Sequence, residues 1–183
     1  MKILLLADVT SAHTQKWVEA LDATENIELG LFTLTQPVAE GYTFRLKKTS
    51  IFSGLSFAET GLFLGNLLPK VQYLKVIPYL TQVIKTFKPD VLHAHYATSY
   101  GLLGALSRKH PFMISVWGSD IYDFPHEGFL NKYIIKYNLS RADLIGSTSK
   151  VMKKETERYA PNKPIFVTPF GIDSRVFYPK KAA

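Results

Sequence analysis

Four clusters of polar residues in this sequence could exchange hydrogen bonds with a hydroxyl-rich or anionic ligand. They are Asp8 with Thr10, Ser11 and His13; His93 with His95 and Tyr96; Trp117, Gly118, Ser119 and Asp120; and Ser147, Thr148 and Ser149. Carboxylates, hydroxyls and imidazoles bond to sugar hydroxyls, and aromatic rings can stack on a sugar face. Each cluster also precedes a predicted helix start, where unpaired backbone N–H groups favour anions. The residue types therefore indicate a site for a sugar, a phosphate or a diphosphate.

The elements that would position these clusters alternate between strands and helices. Apolar stretches predict strands at 2–7, 27–33, 90–93, 112–117, 143–147 and 164–168, and helical spacing predicts helices after Ser11 and at 99–109, 129–138 and 149–159. This alternation is typical of an α/β fold with a doubly wound, mostly parallel Rossmann-like sheet and helices on both faces. Ligands of such sheets bind beyond the carboxyl ends of the strands. We therefore expect the clusters to share one rim of the sheet.

Residues 41–88 interrupt this rhythm. Residues 42–46 predict a short strand, and a helix predicted at 71–87 contains Pro78, which should kink or split it. The segment carries seven basic side chains and one acidic side chain. Two interpretations stay open: two helices that cover the sheet, or a surface that docks on an anionic membrane.

Composition narrows the classes of function. The 183 residues suit one domain, and the absence of cysteine excludes disulfides, thiolate metal sites and a cysteine nucleophile. His93 and His95 lack an evident third ligand, so we expect no metal there. We also expect no cofactor, since no dinucleotide-binding or P-loop motif is present. The first apolar run is too short for a signal peptide and no run could span a membrane, so a soluble, cytoplasmic protein is expected. The net charge of +7 favours anionic partners or solubility, but no nucleic-acid-binding module is recognisable.

Five segments together resemble family-four glycosyltransferases of the GT-B architecture. They are S-A-H-T-Q-K-W at 11–17, P-D-V-L-H-A-H-Y at 89–96, V-W-G-S-D-I at 116–121, the run from A-D-L-I at 142–145 to S-T-S-K-V-M-K-K at 147–154, and T-P-F-G-I-D-S-R-V-F-Y-P at 168–179. They occur in the family's order and span almost the whole chain. In this family the last segment joins two Rossmann-like domains. The resemblance thus implies an acceptor-side domain at 1–169 and the start of an interdomain linker at 170–183.

The resemblance also implies an activity. The chain would be the acceptor-binding half of a retaining hexosyltransferase that moves a sugar from a nucleotide-diphosphate sugar to a polysaccharide or lipid-linked acceptor. Alone it should be inactive, because the donor-binding groups lie in the second domain. We also expect peripheral attachment to the inner membrane face through 41–88, and a dimer through the exposed interdomain face.

The resemblance also implies candidate site residues. Asp120 is the catalytic candidate, and Gly171 and Asp173 are expected at the linker and cleft. The candidates for substrate binding are Ser11, His13, Thr14, His95, Tyr96, Trp117, Gly118, Ser119 and Asp120. Two departures stand out. Trp117 occupies a position where many members carry a histidine that contacts the donor sugar, and residues 8–12 lack the glycines of their first loop.

Several alternatives stay open for single residues and for the whole chain. Asp120 could instead cap a helix, His13 could be solvated, and His93 is expected to be a hydrogen-bonded core histidine. Trp117 could serve packing alone. The chain could also be a stand-alone Rossmann-like sugar- or lipid-binding module. Another nucleotide-dependent enzyme is disfavoured because G-x-G-x-x-G and P-loop motifs are absent.

Overall fold

A computed structural model describes residues 1–35, 49–54 and 68–171 of the chain. The strands are β1 (Lys2–Leu6), β2 (Glu28–Thr33), β3 (Ser50–Ser53), β4 (Val91–His95), β5 (Phe112–Val116), β6 (Leu144–Ser147) and β7 (Ile165–Val167). The helices are α1 (Ala12–Asp22), α2 (Leu68–Phe87), α3 (Ser99–Ser107), α4 (Ser119–Tyr122), α5 (Phe129–Arg141) and α6 (Lys150–Glu157). A short 3₁₀ turn, Phe124–His126, precedes α5.

All seven strands pair in parallel, in the order β3-β2-β1-β4-β5-β6-β7. The chain winds outward from β1 through β2 to β3, returns to β4 beside β1, and then winds the other way to β7. This confirms the doubly wound α/β fold. The winding reverses between β1 and β4, and the crevice at such a reversal is where open parallel sheets bind ligands.

The core has one apolar layer on each face of the sheet. Leu5 of β1 packs with Val18 of α1 on one face, whereas Leu4 and Leu6 share the opposite layer with residues of α2, α3, α5 and α6. Alternate side chains of a strand point to opposite faces. An uninterrupted apolar strand therefore belongs at the centre of a sheet that is covered on both sides, as β1 is.

Two details differ from the sequence-based expectations. β3 was not predicted, because its four residues hold only two apolar side chains between two serines and give a weak signal. The helix α2 runs unbroken through Pro78, so the predicted split was wrong. Proline removes one hydrogen bond of the helix, while Val76 and Leu80 on either side of it are buried in the core and hold both halves in place. The strand predicted at 42–46 lies outside the described residues.

Candidate functional site

A cavity of about 320 Å³ lies at the carboxyl ends of β1, β4 and β5. Its lining residues are Asp8, Ser11, His95, Tyr96, Ser99, Tyr100 and Trp117. Asp8 and Ser11 follow β1, and the residues from 95 to 100 end β4 and begin α3. The cavity therefore occupies the crevice where the winding of the sheet reverses. Of the four sequence clusters, the first three meet here.

Two histidines of β4 lie on the face of the sheet that α1 covers. His93 is buried, and its Nε2 lies 2.9 Å from Ser115 Oγ, which confirms the expectation of a hydrogen-bonded core histidine. His95 is 1% exposed, and neither of its ring nitrogens has a hydrogen-bond partner among the described residues. Trp17 of α1 packs edge-on against both imidazoles. His95 is therefore held by ring packing alone.

Both imidazoles are neutral at physiological pH. Burial lowers the pKa of His93 to about 4. Burial, and then the neighbouring His93, holds the pKa of His95 well below its usual range. A neutral imidazole carries one N–H donor and one acceptor nitrogen. His95 therefore carries one donor and one acceptor that are buried and unpaired among the described residues, and the residue borders the cavity.

Asp8 supplies the carboxylate of the cavity. Its Oδ1 accepts hydrogen bonds from the Thr10 amide at 2.9 Å, the Thr10 hydroxyl at 2.7 Å and the Thr35 hydroxyl at 2.9 Å. Among the described residues, no donor reaches Oδ2. One oxygen therefore fixes the carboxylate while the other is available to a ligand.

An aromatic group walls the cavity on the β5 side. The Trp117 ring lies 4.8 Å from the His95 ring, centroid to centroid, and 5.6 Å edge-on from that of His13. His13 is exposed and stacks on Phe170 at 4.1 Å. The indole Nε1 of Trp117 is buried and lacks a hydrogen-bond partner in the described part of the chain. His13 thus stands beside the cavity, and Trp117 lines it with an unused donor.

Tyr96 adopts a left-handed backbone conformation directly after β4, with φ of 76°. This conformation is strained for a bulky residue and is characteristic of functional sites. It aims the phenol across the rim, where the hydroxyl hydrogen-bonds to the Ser119 hydroxyl. The side chains after β4 and β5 are thereby tied together over the cavity.

Asp120 is completely buried and lies behind the cavity wall rather than in it. Its carboxylate accepts hydrogen bonds from the amides of Ala97 at 2.8 Å, Gly118 at 2.8 Å and Trp117 at 3.1 Å. Burial raises the pKa of Asp120, against the opposing effect of these backbone donors. The sequence predicted contact with the substrate, whereas the structure gives Asp120 a position that joins the loops after β4 and β5.

The remaining predicted site residues are distributed around this centre. Thr14 is fully buried in α1, Gly118 has φ of 146° in the turn after β5, and Gly171 is exposed with φ of 63°. Asp173 lies outside the described residues. Ser149 of the fourth cluster accepts a bond from the Met152 amide and caps α6, away from the cavity. Asp8 lines the cavity. It was expected at the rim of the sheet, but it was not among the candidate substrate-binding residues.

Sequence reasoning missed Ser99 and Tyr100 of the cavity wall. Only their position in the sequence could have identified them, because both lie in the first turn of the helix that follows β4. In the described ranges, no group of three histidine, aspartate or glutamate side chains could hold a metal ion. None of the described helices is long and apolar enough to cross a bilayer.

Comparisons with known proteins agree with this fold. An uncharacterised glycosyltransferase of Methanocaldococcus jannaschii is 26% identical over 120 residues, which cover 60% of this chain and 34% of that protein. Sucrose-phosphate synthase of Thermosynechococcus elongatus has a similar fold, with a TM-score of 0.69 at 13% identity over 98% of this chain and 50% of that one. UDP-GlcNAc 2-epimerase of Neisseria meningitidis, bound to UDP-GlcNAc, gives 0.66 at 16% identity over 92% and 46%.

The chain thus spans about a third of its curated relative and about half of each of these two solved structures. The two solved structures share its fold. A family model described as "Glycosyl transferase 4-like" matches residues 2–149, which form most of the chain. The protein therefore belongs to the glycosyl transferase 4-like family.

Proposed function

We propose that this chain is the acceptor-binding half of a retaining glycosyltransferase, which transfers a hexose from a nucleotide-diphosphate sugar to a polysaccharide or lipid-linked acceptor. The observation that carries the proposal is the cavity between β1 and β4, with its unpaired buried imidazole and its half-free carboxylate. Family membership supports transfer chemistry. The epimerase of similar fold, solved with UDP-GlcNAc, supports a nucleotide sugar as the second reactant.

The charges of the cavity support a division of labour between two domains. No lysine or arginine belongs to the described cavity wall. A diphosphate is normally held by basic side chains or by clustered backbone amides. The donor diphosphate is therefore assigned to a second domain, and the acceptor hydroxyl to this one. In this scheme the leaving diphosphate is stabilised by groups beyond this chain.

The residues of the cavity have separate tasks in this scheme. Asp8 and His95 bind and orient acceptor hydroxyls, and Trp117 excludes water from one side of the ring. Asp120 is a positioning residue, since it holds the loops that carry Tyr96 and Trp117 and touches no cavity surface. Correct positioning of both reactants can supply about 7–11 kcal/mol of barrier reduction. A single half of the cleft cannot provide most of it.

Transfer and binding assays on the 183-residue chain test this function. The chain is incubated with UDP-, GDP- and ADP-sugars and a panel of oligosaccharides and lipid-linked sugars, and products are sought by mass spectrometry. We expect binding of an acceptor without transfer. Turnover by the chain alone would contradict the half-enzyme scheme. A reading frame that continues past Ala183 into a second Rossmann-like domain supports the enzyme, whereas a stop codon there supports a binding module.

Membrane attachment and dimerisation belong to the same proposal. The seven basic side chains of 41–88 favour an anionic lipid surface, at about 1 kcal/mol each near the membrane. Much of that segment lies outside the described residues. Sedimentation with vesicles of anionic lipid, but not of neutral lipid, is expected at low salt. Self-association through the exposed interdomain face is expected as well, and light scattering would detect it.

A further inference from the structure

We propose that the cavity between β1 and β4 binds an uncharged sugar ring and discriminates against a phosphorylated one. This inference rests on the proposed function and deepens it, because it names the chemical class of the acceptor group. Three properties of the cavity wall carry it: the sign of its charge, its buried polar atoms and its aromatic rings.

The charge of the wall is negative or zero. Asp8 is its carboxylate, and neither lysine nor arginine contributes to the described lining. The first turns of α1 and α3 lie nearby, and the positive ends of helices favour a negative charge. The carboxylate of Asp8 already supplies a negative charge near these helix starts. A phosphate entering this space would meet a carboxylate without a basic partner, which is unfavourable in a partly buried site.

The buried polar atoms match a hydroxyl group. The two nitrogens of His95 and the Nε1 of Trp117 are buried without partners among the described residues, although most buried polar side-chain atoms in proteins are hydrogen-bonded. A hydroxyl both donates and accepts, as a neutral imidazole does. Two side chains that border the cavity therefore carry three buried atoms without partners in the described structure, which favours a ligand with several hydroxyls as the group that pairs them.

The free oxygen of Asp8 and the aromatic rings add orientation. Oδ2 of Asp8 can accept bonds from sugar hydroxyls while Oδ1 stays fixed by Thr10 and Thr35. Tyr96 and Trp117 present ring surface to the same space. Ring surface suits the apolar face of a sugar, and hydroxyl partners suit its rim. A fully ionised phosphate has no apolar face for the rings and no hydrogen to donate to Oδ2 of Asp8.

Binding of matched probes to the 183-residue chain tests the inference. Saturation-transfer NMR compares the methyl glycosides of glucose, mannose and galactose with glucose 1-phosphate, glucose 6-phosphate and inorganic phosphate. We expect at least one neutral glycoside to bind, and each phosphate to bind at least about tenfold more weakly than it. Tighter binding of any phosphate would overturn the inference. So would the absence of binding by all three neutral probes to the folded chain.

Substitutions in the cavity wall show where the neutral glycoside binds. His95→Phe and Asp8→Asn should each weaken the neutral glycoside by about tenfold or more, as expected when hydrogen bonds to a ligand are lost. The matched control His110→Phe, at the opposite end of the sheet, should leave binding unchanged. Asp8→Asn should also narrow the difference between neutral and phosphorylated probes. Unchanged binding in folded His95→Phe and Asp8→Asn would overturn the proposed site.

The outcomes separate this inference from the proposed function. Sugar transfer by the chain alone would contradict the half-enzyme scheme without altering which sugars the cavity accepts. A preference for phosphorylated sugars would overturn the neutral subsite and leave the acceptor-binding role in place.

Discussion

The two ends of the parallel strands differ in the pairing of some of their polar side chains. At the amino ends, Asp90 accepts a bond from the Lys2 amide at 2.7 Å, and Asp143 accepts bonds from the Phe112 amide and the His110 imidazole, both at 2.7 Å. The side chains of His110 and Asp143 are nearly half exposed. At the carboxyl ends, His95 and Trp117 Nε1 are buried and unpaired within the described residues.

This difference distinguishes polar side chains that serve the fold from polar side chains that could bind a ligand. A paired carboxylate at an exposed sheet end satisfies backbone donors, and the fold needs nothing more from it. An unpaired polar atom in a buried position lowers stability, and it persists where a ligand supplies its partner. The carboxyl end is therefore the end that we propose to bind the ligand. The predictions that follow test the contrast, beginning with the largest expected effect.

Removal of the Asp120 carboxylate should have the largest effect on stability. Asp120→Ala leaves the amides of Ala97, Trp117 and Gly118 without their acceptor, which should lower the free energy of unfolding by about 3–5 kcal/mol. The matched variant at the amino end, Asp143→Ala, should lose about 1 kcal/mol because its site is exposed. Urea unfolding measures both. A loss in Asp120→Ala no greater than in Asp143→Ala would refute the positioning role.

Acid should destabilise the protein through the buried histidines. The pKa of His93 is about 4 in the folded chain and 6.5 when unperturbed. Between these values the unfolded chain binds a proton that the folded chain does not. The free energy of unfolding is therefore unaffected by His93 above about pH 6.5. It falls as the pH decreases toward 4, by roughly 3 kcal/mol in total, at about 1.4 kcal/mol per pH unit.

Urea unfolding of His93→Gln and of the parent, from pH 7.5 down to 4.5, isolates this contribution. The variant should lose stability less steeply with acid than the parent does. Equal slopes in the two proteins would show that His93 does not carry the effect.

Local patterns were sufficient to predict much of the fold and part of the site. Ser11, His95, Tyr96 and Trp117 were identified because each lies at or soon after the end of a strand, and strand ends are visible in the sequence. The position of Asp120 was not predictable, since its bond to the Ala97 amide joins residues 23 apart through the tertiary fold. Likewise, the fixing of Asp8 Oδ1 depends on Thr35, which follows a different strand.

Packing against β5 near its amino end should tolerate little added volume. A Cβ on Gly104 of α3 would lie 2.2 Å from Cε2 of Phe112, a fully buried ring at the start of β5. Gly104→Ala should therefore lower the free energy of unfolding by about 1–3 kcal/mol. Gly128, where a Cβ would meet nothing within 4 Å, provides the control, and Gly128→Ala should be nearly neutral. Equal thermal stability of the two variants would contradict a closed, tightly packed end.

The smallest expected effect is also the most direct test of the contrast between the two ends. His95→Phe keeps a planar ring among Trp17, His93 and Trp117 and removes two buried nitrogens that lack partners in the described structure. Loss of an unsatisfied polar group without loss of packing should raise the free energy of unfolding, by up to about 1 kcal/mol. The same change at the amino end, His110→Phe, removes the contact with Asp143 and should lower it slightly.

Chemical denaturation at pH 7.5 measures the two variants, and at this pH the lowered pKa of His95 makes proton uptake by that residue a minor contribution. Opposite signs would mean that His95 is kept at the expense of stability, as expected of a residue that binds a ligand. A clear loss of stability in His95→Phe would mean that the imidazole is a structural part of the core. In that case the distinction between the two ends of the sheet would rest on Asp8 and Trp117 alone.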